Sequence, residues 1–175
     1  MKLRIAGYVN DSIVDGPGLR FAVFAQGCPH ACPGCHNPET HDMNGGREEE
    51  TDTLIAEMKK NPLLSGITLS GGDPMMQPEA CLELARAAHG MHLNVWLYTG
   101  YTWEDILAQE NEAWNKLVKE TDVLVDGPFI LAERSLELTF CGSRNQRLID
   151  LNRTRARGAA DLRGFLELSL IHISE

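Results

Sequence analysis

The chain has 175 residues, 43% hydrophobic and 23% charged, a balance that excludes a disordered polymer and suits one globular domain able to bury a core without disulfides. Sixteen basic against 25 acidic residues give a formal net charge of -9, which argues against a nucleic-acid footprint, and no apolar run approaches the roughly 20 residues that span a bilayer. The opening MKLRIAGYVND lacks the apolar core of a secretory signal and the composition of a transit peptide, so a cytoplasmic protein with no membrane partner is expected, in which five cysteines are poor disulfide formers.

In chain order, Leu19 to Gly27 (LRFAVFAQG) predicts a buried strand that delivers the chain into the loop GCPHACPGCHNPET. The acidic run Glu48, Glu49, Glu50 is expected to start a helix reaching Lys60, with Leu54, Ile55 and Met58 on one face and Asn61-Pro62 as its stop. GITLSGGDP predicts a strand running into a glycine turn. Pro78 to Gly90 follows as a helix packed through Cys81, Leu82, Leu84, Ala85 and Ala88. NVWLYTGY reads as a strand, TWEDILAQENEAWNKLVKE as one helix capped by Thr102, and DVLVDGPF as another strand. Strand and helix alternate, which implies right-handed crossovers and a parallel sheet with helices outside. Ligands gather at the carboxyl ends of such strands. Cys28 and its neighbours, Ser70-Gly71-Gly72-Asp73, Tyr98-Thr99-Gly100 and Asp126-Gly127 stand there and are expected to meet at one rim.

Cys28, Cys32 and Cys35 form a cluster of thiols in a reducing compartment, and three chemistries suit it. A structural zinc would need a fourth ligand, which His30, His36 or His41 could supply. A redox pair at Cys32-Pro33-Gly34-Cys35 is a second reading, but it leaves Cys28 without a purpose. In the third, three thiolates hold three irons of a 4Fe-4S cube and one iron stays open for a substrate or cofactor. The remaining candidates have plainer readings. Trp96, Trp103 and Trp114 are expected in the core or in helix packing. Cys81 reads as a small buried hydrophobe and Cys141 as a packed thiol. Asp15-Gly16-Pro17-Gly18 has the composition of a turn.

The spacing Cys28-x3-Cys32-x2-Cys35 resembles the cluster motif of the radical S-adenosylmethionine enzymes. With DGPGLRFAVFAQGC, CPGCHNPET, LSGGDPM, WLYTGYTWEDI, VLVDGPF and GSRNQRLIDL in the same order, the chain resembles the glycyl-radical-enzyme activases, in particular those of anaerobic ribonucleoside-triphosphate reductase. The resemblance implies an α/β fold of the partial (β/α) barrel type, with parallel strands and helices outside. It implies Cys28, Cys32 and Cys35 as cluster ligands, Gly34, Cys35 and His36 as the segment running beside bound S-adenosylmethionine, and Gly71, Gly72 and Asp73 as the motif receiving its amino group. Tyr98 and Thr99 fall where related activases contact the same cofactor. The implied reaction is reductive cleavage of S-adenosylmethionine to methionine and a deoxyadenosyl radical, which takes a hydrogen atom from a partner's glycine. It needs a one-electron donor such as flavodoxin and no acid-base residue. Gly34 stands where many radical S-adenosylmethionine enzymes carry an aromatic residue, so another apolar contact must serve the adenine. Pyruvate formate-lyase activases share the cysteine motif but are usually longer, and a zinc-binding scaffold is the non-enzymatic alternative.

The resemblance ends near residue 151, which divides the chain into an activase domain, 1–151, and a tail, 152–175. Arg153, Arg155, Arg157 and Arg163 are expected to form a solvated basic arm. The closing LELSLIHISE departs from the family pattern, reads as translated sequencing-adapter DNA and is given no function.

Overall fold

A computed structural model describes residues 1–35 and 37–157; the readings of His36, Arg163 and the closing segment lie outside the described residues. The centre of the molecule follows from alternation along four strands: β2 (Arg20–Ala25), β4 (Gly66–Gly71), β5 (Asn94–Tyr98) and β6 (Val123–Asp126). Successive side chains on a strand point to opposite faces. Phe21, Val23, Ile67, Leu69, Val95, Leu97 and Leu124 therefore turn to one face, where they are buried against Leu54 and Met58 of α1 (Thr51–Lys59) and Leu84, Ala85 and Ala88 of α2 (Pro78–Gly90). Ile106 of α3 (Trp103–Gln109) and Leu117 of α4 (Glu112–Lys119) complete that layer. On the opposite face Trp96 and Val125 pack with Leu148, Tyr98, Phe140 and Cys141.

The four central strands are parallel in the order β2-β4-β5-β6, as the alternation predicts. A parallel arrangement does not extend to the edges. β1 (Lys2–Ser12) and β7 (Arg147–Asp150) pair antiparallel with β2 and β6, and β3 (Arg47–Glu50) pairs antiparallel with β1. Among the described residues the result is one seven-stranded mixed sheet with β3 and β7 at its edges. Parallel neighbours need a long crossover, usually helical. No helix lies between β1 and β2, and only the short turn Leu131–Glu133 lies between β6 and β7, so both pairs reverse direction.

Two predicted helices are corrected. Glu48, Glu49 and Glu50 belong to β3, and the helix begins at Thr51. Their partners explain it: β3 lies along the basic start of β1, with Glu48 3.7 Å from Lys2 and 3.5 Å from Arg4. The single helix expected from Thr102 onward is two. Glu110 takes a left-handed φ of 48° and ends α3, and the Asn111 side chain caps α4 by accepting the Trp114 N–H at 3.1 Å. Thr102 does cap α3, through a reciprocal capping box with Asp105. Trp96 and Trp103 are buried and Trp114 packs against the core. After β7, α5 (Leu151–Arg157) carries the start of the tail onto the domain. Leu151 and Thr154 are buried, Arg153 pairs with Asp150 at 3.7 Å, and Arg155 donates to the Val118 carbonyl at 3.1 Å.

Candidate metal-cluster site

The cysteine loop leaves β2 at Gln26 and is tied at both ends. The Gly27 and Cys28 N–H groups donate to the Thr40 and His41 carbonyls at 2.7 and 3.2 Å, and the Gln26 side chain donates to Glu39 and Asp42 carbonyls at 3.0 and 2.8 Å. Within the loop, Ala31 and Gly34 take left-handed φ values of 47° and 74°. The Cys35 N–H reaches the Cys32 carbonyl at 3.2 Å. These turns present Cys28, Cys32 and Cys35, all half-buried, to one cavity of about 400 Å³. Burial holds the Cys28 thiol above its ordinary pKa and the nearby Asp73 carboxylate adds to the effect, so metal binding there must displace a proton.

The opposite walls come from the expected strand ends. Gly71 and Gly72 at the end of β4, Tyr98 and Thr99 at the end of β5, and Gly127 after β6 line the same cavity as the three thiols. Asp15, from the Asp15-Gly16-Pro17-Gly18 turn, and His41 line it too. Burial raises the Tyr98 pKa above its ordinary value. The two glycines have a local reason to lack side chains. A Cβ on Gly72 would stand 2.3 Å from the Gly27 carbonyl oxygen, and one on Gly71 would stand 2.5 Å from the Ala25 nitrogen. The close approach is between two backbones, sealed by Gly72 N–H to Ala25 O at 2.7 Å and Asp73 N–H to Gly27 O at 2.8 Å.

Asp73 and Gly34 are placed beside the cavity wall rather than in it. The Asp73 side chain is fully buried and its oxygens accept from the Met75 N–H, the Thr99 hydroxyl, the Gly100 N–H and the His30 ring. At Gly34 a Cβ would meet Leu131 Cδ1 at 2.8 Å, so glycine there admits both a left-handed turn and the packing of Leu131. The sequence reading did not assign Phe129, Phe140, Cys141, Gly142 and Gln146 to the site, yet they line it. They reach it through the long connection between β6 and β7. Gln146 folds that segment by accepting the Gly142 N–H at 2.8 Å and donating to the Gly127 carbonyl at 3.0 Å. Burial pushes the Cys141 thiol up to about 11, consistent with the packed thiol expected. In sequence, Phe129, Gly142 and Gln146 fall within VLVDGPF and GSRNQRLIDL, two of the stretches that carry the family resemblance, but no spacing there placed them at the site.

The donor set is three soft thiols on one tight loop, facing backbone and aromatic surface, and it suits an iron-sulfur cluster held by three thiolates. Among the described residues, no group of three or more His, Cys, Asp and Glu side chains is arranged to hold a single metal ion. Residues 14–149 match the model of a family described as a 4Fe-4S single cluster domain. The anaerobic ribonucleoside-triphosphate reductase-activating protein of Salmonella typhi is 34% identical over 153 residues, covering 82% of this chain and 96% of the relative. That of Vibrio cholerae is 37% identical over 147 residues, covering 79% and 92%. Among solved structures, QueE from Escherichia coli aligns with a TM-score of 0.46 at 15% identity, over 58% of this chain and 54% of that one. With relatives matched over nearly their whole length and the cluster family's model spanning the cysteine loop and the strand ends around it, the chain belongs to the anaerobic ribonucleoside-triphosphate reductase-activating proteins.

Proposed function

We propose that this chain is a radical S-adenosylmethionine activase that generates a glycyl radical on anaerobic ribonucleoside-triphosphate reductase. The observation that carries the reading is the convergence of Cys28, Cys32 and Cys35 with the strand ends at Gly71-Gly72 and Tyr98-Thr99 around one cavity of about 400 Å³. The three thiolates would hold the cluster and leave one iron for the amino and carboxylate groups of S-adenosylmethionine. When bound, the cluster supplies the electron for reductive cleavage of that cofactor, and hence the means of withdrawing a hydrogen atom from a glycine.

The chain's own residues bind, orient and exclude water. Strand-end carbonyls offer acceptors to an ammonium, and Tyr98, which lines the cavity, offers a phenol hydroxyl that carries no charge at neutral pH. Phe129 and Phe140 line the cavity and supply the apolar contact that Gly34 does not. No side chain is assigned acid-base work. The open mixed sheet with a parallel centre is compatible with a partial (β/α) barrel whose mouth a large partner closes. Val14 lines the cavity and is exposed together with its neighbour Ile13, and Leu131 and Leu136 are exposed in the connection whose Phe129 and Phe140 line it, which suits a protein partner. The relatives' names support the reductase as that partner, and the family resemblance supports a donor such as flavodoxin.

The cluster itself is tested by anaerobic reconstitution of the full chain with iron and sulfide. About four irons per chain are expected, with a brown colour, and Cys28→Ser, Cys32→Ser or Cys35→Ser should each remove the cluster while circular dichroism stays unchanged. A colourless protein holding one zinc, or clusters that survive these substitutions, would overturn the reading.

A further inference from the structure

His30 lies inside the cysteine loop, between Cys28 and Cys32, and is held from three directions. Its Nε2 stands 2.6 Å from the Asp73 carboxylate, and its ring meets Tyr101 edge-on with centroids 4.6 Å apart. Gly100 closes the third side, where a Cβ would come within 2.4 Å of the imidazole. Each of these supports is itself fixed. Asp73 is fully buried and also accepts from the Met75 N–H at 3.0 Å, the Thr99 hydroxyl at 2.9 Å and the Gly100 N–H at 3.0 Å. Tyr101 packs on Trp114 at 4.6 Å, and the Trp114 indole donates to the Met75 carbonyl at 2.8 Å. The imidazole is thus the one side chain of residues 28–35 shown bonded into the network that joins the ends of β4 and β5.

The residue after His30 supplies a reason for such an anchor. Ala31 has a φ of 47°, a left-handed conformation disfavoured for any residue with a Cβ. A loop containing it needs outside contacts to hold that turn. We propose that His30 is a positioning residue: through its bond to Asp73 it fixes residues 28–32 in the cluster-binding conformation before any metal arrives, and Asp73 serves this clamp rather than the cofactor's amino group. The bond needs only an N–H on Nε2, which the imidazolium and one neutral tautomer both provide. The geometry also gives Gly100 a role, since its missing side chain is the seat of the ring.

The inference rests on the cluster reading, but one of its tests does not. Hydrogen exchange of the metal-free full chain should be about tenfold faster across residues 28–35 in His30→Ala than in the unaltered protein, the factor expected for loss of one hydrogen bond to a buried carboxylate. After reconstitution, the cluster of His30→Ala should be lost to a chelator about tenfold faster and give a broadened paramagnetic resonance signal when reduced. His30→Gln, which keeps a donor toward Asp73, should lie near the unaltered protein. His30→Phe, which keeps a ring without the donor, should resemble His30→Ala. Equal exchange and equal cluster loss in His30→Ala would overturn the clamp, and so would a His30→Phe variant that behaves normally. Failure of the unaltered protein to take up a cluster would count against the proposed function instead, leaving the exchange comparison to decide the clamp.

Discussion

Arg20 is a guanidinium with no exposed surface at the start of β2. It donates to Thr68 Oγ1 at 2.8 Å, the Pro17 carbonyl at 3.0 Å, the Ile67 carbonyl at 2.7 Å and Asn94 Oδ1 at 2.6 Å, and it lies 5.5 Å from the centre of the Trp96 ring. Burial lowers its pKa to about 10, so it is still a cation at neutral pH. One planar fork joins the Asp15-Gly18 turn to β4 and β5 beneath the cavity. A lysine cannot match that geometry. Arg20→Lys should lose about 2–3 kcal/mol of stability in urea unfolding, the cost of buried acceptors left unpaired, and a loss below about 0.5 kcal/mol would contradict the assignment. Nothing in LRFAVF distinguished this arginine from a strand-end surface residue, because three of its four acceptors, on Thr68, Ile67 and Asn94, come from distant segments. The three cysteines were legible because their spacing is local. Asp73 was found as a residue but not by its contacts, since His30 and Thr99 meet it only after folding.

Where elements join, a histidine sets a pH dependence. His89, in the last turn of α2, places Nδ1 2.9 Å from Glu120 and Nε2 2.9 Å from Asp122. Burial opposes protonation, but the hydrogen bonds and charges of Asp122 and Glu120 outweigh it and raise the His89 pKa. Burial likewise opposes ionisation of Asp122, and bonds from Asn152, His89 and the Val95 N–H outweigh it and lower that pKa. The histidine's contribution is therefore complete below its unfolded pKa of about 6.5 and disappears as pH rises through the raised folded value; the aspartate's is complete above about 3.9 and disappears as pH falls. Thermal melts should show stability declining from about pH 6 to 8 in the unaltered protein, with a flatter profile in His89→Gln. Identical slopes would refute the pairing. The helices and strands of the sheet's centre were legible from apolar periodicity alone. The misread elements are those decided by partners. Glu48–Glu50 has helical composition, but the basic residues of β1 draw it into a strand, and the break at Glu110 follows from Asn111 capping a second helix.

At the scale of the molecule, the candidate site lies at the carboxyl edge of four parallel strands, and the helices pack on one face of the sheet. β2 feeds the thiol loop, β4 and β5 end in backbone that lies against it, and the long connection from β6 to β7 closes the wall with aromatic side chains. That the strand ends meet at one rim was legible from the alternation of strand and helix; the contribution of residues 129–146 was not, because a connection without periodic pattern gives no clue to where it folds. The site so built brings three thiols, strand-end backbone and the Tyr98 phenol to one cavity, the groups that the proposed function calls on. The most direct measurement is anaerobic: the reconstituted full chain, chemically reduced, mixed with S-adenosylmethionine and anaerobic ribonucleoside-triphosphate reductase, followed by paramagnetic resonance and by assay of 5'-deoxyadenosine. The account predicts deoxyadenosine together with a glycyl-radical doublet that vanishes when the reductase's radical glycine is replaced. A fully loaded cluster that yields neither product would contradict it.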